Sequence, residues 1–116
     1  MSKRGDMESL SDILEALHRI DRYAKLMTSQ KFMKDIKTQD AVVRNLEIIG
    51  EATKNISRNL KEKYPYVAWS DLSKVRDKLI HHYFGVNLDI VWGIVEESLP
   101  ELLSQINKIV ESEKKL

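Results

Sequence analysis

The chain has 116 residues, 42% of them hydrophobic and 32% charged, with a formal net charge of +1. That length suits one domain with one real core, and the composition excludes a disordered chain. Cysteine is absent, which excludes disulfides, thiolate metal sites and cysteine nucleophiles, and no apolar run approaches the ~20 residues needed to span a bilayer. Residues Met1 to Asp6 lead straight into an amphipathic pattern with no visible signal peptide, so a cytoplasmic protein is expected. Charge is uneven along the chain. Arg19 to Lys78 holds fourteen lysines and arginines against eight carboxylates, whereas Phe84 to Leu116 holds three against six. A moderately basic middle is compatible with a polyanionic partner, although it is weaker than a true basic stripe.

Leu10, Ile13, Leu14, Leu17, Ile20, Ala24 and Met27 recur at three and four, predicting a first helix from about Met7 to Thr28. Ser29 to Thr38 is lysine-rich and poorly periodic and reads as a connection that can include a short helical turn. Thr38 or Asp40 can cap a second helix whose stripe is Val42, Leu46, Ile49, Ala52, Ile56 and Leu60. Pro65 should end it near Tyr64. Tyr66 to Trp69 then forms a short apolar connector. Ser70 can cap a third helix carrying Leu72, Val75 and Leu79, with Gly85 placed to stop it.

Asn87 can cap a fourth helix with Leu88, Val91, Trp92 and Val95 inward. Ser98-Leu99-Pro100-Glu101 resembles a capping box with an early proline, so the last segment is either a fifth helix or the fourth one kinked. The tail from about Glu111 should fray. No strand signal is present. The expected architecture is all-α: a single domain over 1–116, an antiparallel bundle of four or five helices joined by short loops. Leu14, Leu17, Ile49, Ile56, Leu79 and Trp92 are expected in its core.

One stretch departs from this pattern. Arg76-Asp77-Lys78-Leu79-Ile80-His81-His82-Tyr83-Phe84-Gly85 gathers a guanidinium, a carboxylate, two imidazoles and a phenol where a core stripe would otherwise continue. An imidazole exchanges protons near neutral pH, and a guanidinium fork suits phosphate. On an ideal helix Asp77 and His81 are adjacent, and Arg76 and Tyr83 nearly align, about 20° apart. Arg76 and His81 lie about 140° apart, so a straight helix does not bring them together. Either the helix distorts near His82 or another subunit completes the site. The second is the favoured reading, since a two-fold axis beside this helix would bring Arg76 and His81 of two chains into one cleft, and it predicts a homodimer. The bland alternatives are that Arg76 pairs with Glu51 or Glu47, that His82 packs on the Val75–Leu79 stripe, and that Tyr83 and Phe84 are core aromatics. Adjacent histidines point about 100° apart, unlike the i, i+4 pairs of metal helices, so no metal is expected.

Arg76-x4-His81-x-Tyr83 followed by Phe84-Gly85-Val86 resembles the R-x4-H-x-Y signature of the HepT-like branch of the HEPN superfamily. Leu46-Glu47-Ile48-Ile49-Gly50-Glu51-Ala52 is similar to that family's "IGEA" helix, and Trp69, Trp92 and Leu99-Pro100 fall in matching places. The resemblance runs from about Leu10 to Val110. Asp77 stands where asparagine is more usual, Ala68 where proline commonly precedes the tryptophan, Lys74 in place of a small residue and Asn87 in place of an aspartate. None of these removes Arg76, His81 or Tyr83.

The resemblance implies a HEPN-like bundle and the toxin of a HepT–MntA toxin–antitoxin pair, a metal-independent ribonuclease needing no cofactor. It gives Arg76 and His81 catalytic roles, with Asp77, Tyr83 and Glu51 in support. It makes Tyr83 the residue to which an MntA-like minimal nucleotidyltransferase attaches AMP, silencing the toxin. RNA is then the substrate, and no membrane is involved. The other reading is a non-catalytic helical module that pairs with the nucleotidyltransferase.

Overall fold

The computed structural model describes residues 3–79 and 87–115, and among these every regular element is helical. In chain order they are α1 (Lys3–Ala24), α2 (Ser29–Lys34), α3 (Ile36–Lys54), α4 (Arg58–Lys63), α5 (Trp69–Ser73), α6 (Val75–Leu79), α7 (Leu88–Gly93), a π-helical turn (Ile94–Ser98) and α8 (Leu99–Lys114). The three long helices, α1, α3 and α8, carry the bundle, and the short ones close its ends and one flank.

Helix α1 is the central member, packing against both α3 and α8. Its apolar stripe is almost wholly removed from water: Leu10, Ile13, Ala16, Leu17 and Ile20 are buried. Two polar clasps show how the long helices run. At the start of α1 the Asp6 carboxylate accepts from the Ser57 backbone N–H at 2.8 Å and from its hydroxyl at 2.6 Å. Ser57 follows the end of α3, so α1 and α3 are antiparallel. At the other clasp Glu113, near the end of α8, takes Lys63 Nζ at 2.8 Å and the Tyr64 hydroxyl. Fraying was expected from about residue 111, but α8 continues to Lys114, with the Glu113 side chain largely buried. Partnered charge at the terminus explains the difference.

Two further boundaries differ from the sequence reading. The stripe through Ile56 and Leu60 suggested one helix reaching Tyr64, yet α3 stops at Lys54. Both residues are still buried, because Ser57 restarts the chain as α4, its oxygen accepting from Leu60 N–H at 3.2 Å. A serine held by a carboxylate from another helix makes a better cap than an interior position. At the other end of α3 the cap is Asp35, not Thr38 or Asp40. Its carboxylate accepts from both the backbone N–H and the hydroxyl of Thr38, which lowers its pKa.

The lysine-rich connection is itself helix α2, capped by Thr28. It exists to deliver Phe32, fully buried, whose ring meets Trp92 with centroids 5.2 Å apart. Gln39 reaches back to donate to the Phe32 carbonyl at 2.8 Å. Of the expected core, Leu17, Ile49, Ile56 and Leu79 are buried, while Leu14 and Trp92 are half-buried against it.

Trp69 is not part of a connector. It opens α5 with its ring buried and its indole N–H on the Tyr64 carbonyl at 2.9 Å. Ala68, without a capping side chain, takes the place expected of Ser70. Asn87 does cap α7, accepting from the N–H groups of Asp89 and Ile90. The Ser98 capping box does not form, because the chain passes from α7 to α8 without leaving helical conformation. The π turn intervenes, and the Leu99 N–H reaches back five residues to the Ile94 carbonyl. Pro100 accounts for it: its ring would collide with the carbonyl four residues earlier in an ordinary α-helix, and a widened turn relieves that.

Candidate functional site

Arg76, the first residue of the polar cluster, sits on the short helix α6, which packs with α5 against α3. Gly50 makes this crossing possible. A Cβ there would stand 3.3 Å from the Leu72 carbonyl oxygen and 3.3 Å from a Val75 methyl. With only hydrogen at that position, Val75 seats in the core and Arg76, its neighbour, comes to lie over the exposed side of α3.

There Arg76 Nε sits 3.4 Å from Glu47 Oε2, with the two side chains 59% and 35% exposed. Of the two carboxylates offered by the sequence, Glu47 is therefore the partner. Glu51, one turn on, is paired instead with Lys54 at 3.6 Å. Arg76, Glu47 and Glu51 line a groove of about 380 Å³ together with Arg44, Asn55 and Asp12, the last from α1. Arg44, Glu47, Glu51 and Asn55 succeed one another at three or four residues, so one face of α3 forms the floor. Two guanidiniums and three carboxylates border this groove, an uneven and slightly acidic surface.

Asp77 is exposed, as is Lys78, while Leu79 returns to the core. The Asn87 N–H donates to the Leu79 carbonyl at 3.1 Å, tying together the described residues on either side of 80–86. His81 and Tyr83, with the expected helix stop at Gly85, lie outside the described residues. The structure thus brings together Arg76, Glu51 and the additional residues Glu47, Arg44 and Asp12. Arg44 and Asp12 gave no signal in the sequence beyond exposed charge. Glu47 was visible only as one of two candidates. Among the described residues, no three His, Asp or Glu side chains cluster as a metal site, and no helix is long and apolar enough to cross a membrane.

The fold class is an all-α, HEPN-like bundle, with an arginine held over a polar groove. The family model "Ribonuclease HepT-like" matches residues 13–109. Among curated proteins, "Putative RNase MJ0127" of Methanocaldococcus jannaschii is 46% identical over 95% of this chain and 91% of its own. "Probable ribonuclease HepT" of Thermococcus cleftensis is 42% identical over 92% of this chain and 97% of its own. "Putative RNase TTE0752" of Caldanaerobacter subterraneus subsp. tengcongensis is 41% identical over 90% and 94% respectively. No solved structure matches the chain. The chain belongs to the HepT-like ribonuclease family.

Proposed function

We propose that this protein is the toxin of a toxin–antitoxin pair and cuts RNA without a metal ion, through Arg76 and His81. The observation that carries the reading is the Arg76-x4-His81-x-Tyr83 motif inside the span matched by the ribonuclease family. The exposed position of Arg76 over an open groove supports it.

RNA supplies its own nucleophile. The 2′-hydroxyl attacks the adjacent phosphorus, the bond to the 5′-oxygen breaks, and a 2′,3′-cyclic phosphate and a 5′-hydroxyl result. His81 takes the 2′ proton and returns one to the leaving oxygen, a task suited to an imidazole near neutral pH. Arg76 stabilises the charge gathering on the phosphorane oxygens. Asp77 and Glu51 shape the surrounding charge, and Tyr83 orients the phosphate or stacks on a base. A homodimer brings Arg76 of one copy toward His81 of the other. The partner that silences the toxin is a minimal nucleotidyltransferase, which moves AMP from ATP to the Tyr83 hydroxyl with release of pyrophosphate. The added phosphate and base then compete with RNA for Arg76.

Purified protein should therefore cut RNA in the presence of EDTA. Arg76→Ala and His81→Ala should each lower cleavage by at least ~100-fold, the scale of losing one transition-state donor, with helix content unchanged by circular dichroism. Co-expression with the nucleotidyltransferase should place AMP on Tyr83 by mass spectrometry and suppress cleavage. Activity lost in EDTA and restored by a divalent cation would overturn the metal-free mechanism, and AMP on Tyr23, Tyr64 or Tyr66 would overturn the silencing site.

A further inference from the structure

We propose that Glu47 is a positioning residue for Arg76, setting the guanidinium in the groove in the orientation that the developing phosphorane requires. The inference rests on the reading of Arg76 as the phosphate-facing cation. Its own basis is the contact itself: the Glu47 carboxylate meets Arg76 at Nε, the inner nitrogen, at 3.4 Å. A guanidinium has five N–H donors, so a carboxylate at Nε leaves the terminal pair available to a phosphate. Both side chains are substantially solvated, and an exposed pair of this kind adds little to stability. The fold nevertheless goes to some length to form it. Gly50, one turn from Glu47, lets the Leu72 carbonyl and Val75 approach α3 closely, and this brings Arg76 within reach.

Glu51 and Asp12 border the same groove, yet neither forms an ion pair with Arg76. The arrangement makes a prediction of unusual sign. In a groove with three carboxylates and two guanidiniums, removing a negative charge should help a polyanion bind. If Glu47 were only a surface charge, its loss would raise activity. If it orients Arg76, its loss lowers the rate of the chemical step even though binding improves, because a misplacement of about an ångström can cost on the order of a hundredfold.

The test measures kcat and KM on a mixed-sequence single-stranded RNA oligonucleotide for the wild type, Glu47→Ala, Glu47→Gln, Asp12→Asn and Arg76→Ala. Glu47→Ala should lose about tenfold or more in kcat with KM unchanged or lower. Glu47→Gln keeps an oxygen acceptor for Nε and should recover part of the loss. Asp12→Asn, the charge control, should lower KM with no fall in kcat. Thermal melting of each variant reports folding separately. Wild-type or higher kcat in Glu47→Ala, alongside an inactive Arg76→Ala, would overturn the proposal and leave the ribonuclease reading standing. An equal fall in kcat for Asp12→Asn would also overturn it, since general groove charge would then explain both. Full cleavage by Arg76→Ala would instead remove the role of Arg76, and that of Glu47 with it.

Discussion

Gly50 sets how closely the arginine-bearing helix can lie against α3. Glycine within a helix costs about 1 kcal/mol relative to alanine, yet a methyl group here would press on the Leu72 carbonyl oxygen at 3.3 Å. That oxygen is backbone and cannot rotate away, so α5 and α6 would have to shift by a few tenths of an ångström. Gly50→Ala should therefore change the melting temperature little, propensity and crowding offsetting each other, while lowering RNA cleavage because Arg76 moves. Unchanged cleavage would show that the crossing tolerates the shift. The same residue explains a limit of the sequence. Glu47 and Glu51 stand four apart on one helical face, and periodicity cannot choose between them as partner to Arg76. The choice depends on where α6 crosses α3, a matter of packing around Gly50.

The short helices were the least legible elements, for physical reasons that differ. In α2 a single buried aromatic, Phe32, sits among lysines, too sparse a pattern for periodicity to register. In α4 the apolar spacing was right, but Ser57, clasped by Asp6, took over as a cap. The joint between α4 and α8 offers a test by pH. Hydrogen bonding to Glu113 raises the pKa of Lys63, while burial and then hydrogen bonding to Glu113 raise that of Tyr64. Both groups keep their protons longer when folded, so their contribution is fully present below the unfolded values, near 10, and is lost as pH rises through the folded ones. The melting temperature should fall on titration above about pH 10, and Glu113→Gln should flatten that fall. An identical alkaline profile in the variant would show that the clasp is not its source.

At the level of the whole molecule, the bundle and most of its core were open to pattern reading, because α1, α3 and α8 keep a steady three-and-four spacing. The candidate site was legible as a motif but not as a groove, since Arg44 and Asp12 join Arg76 only through tertiary packing. A two-fold homodimer remains the proposed working form, motivated by the ~140° between Arg76 and His81 on an ideal helix. Light scattering at assay concentration should report twice the monomer mass, and a fully active monomer would refute the shared cleft.

The π turn before Pro100 also governs a relation of phase. Leu88, Val91, Val95, Leu99, Leu102, Ile106 and Ile109 follow one another at three or four residues and read in sequence as a single stripe. A wide turn amounts to one extra residue, about 100° of rotation. The stripe is thus divided between two directions, with α7 packing on α2, α3 and α6, and α8 packing on α1. Within Ile94–Ser98 the loss of one residue would act as a rotation more than a shortening, turning the buried side of α8 away from the helix it covers.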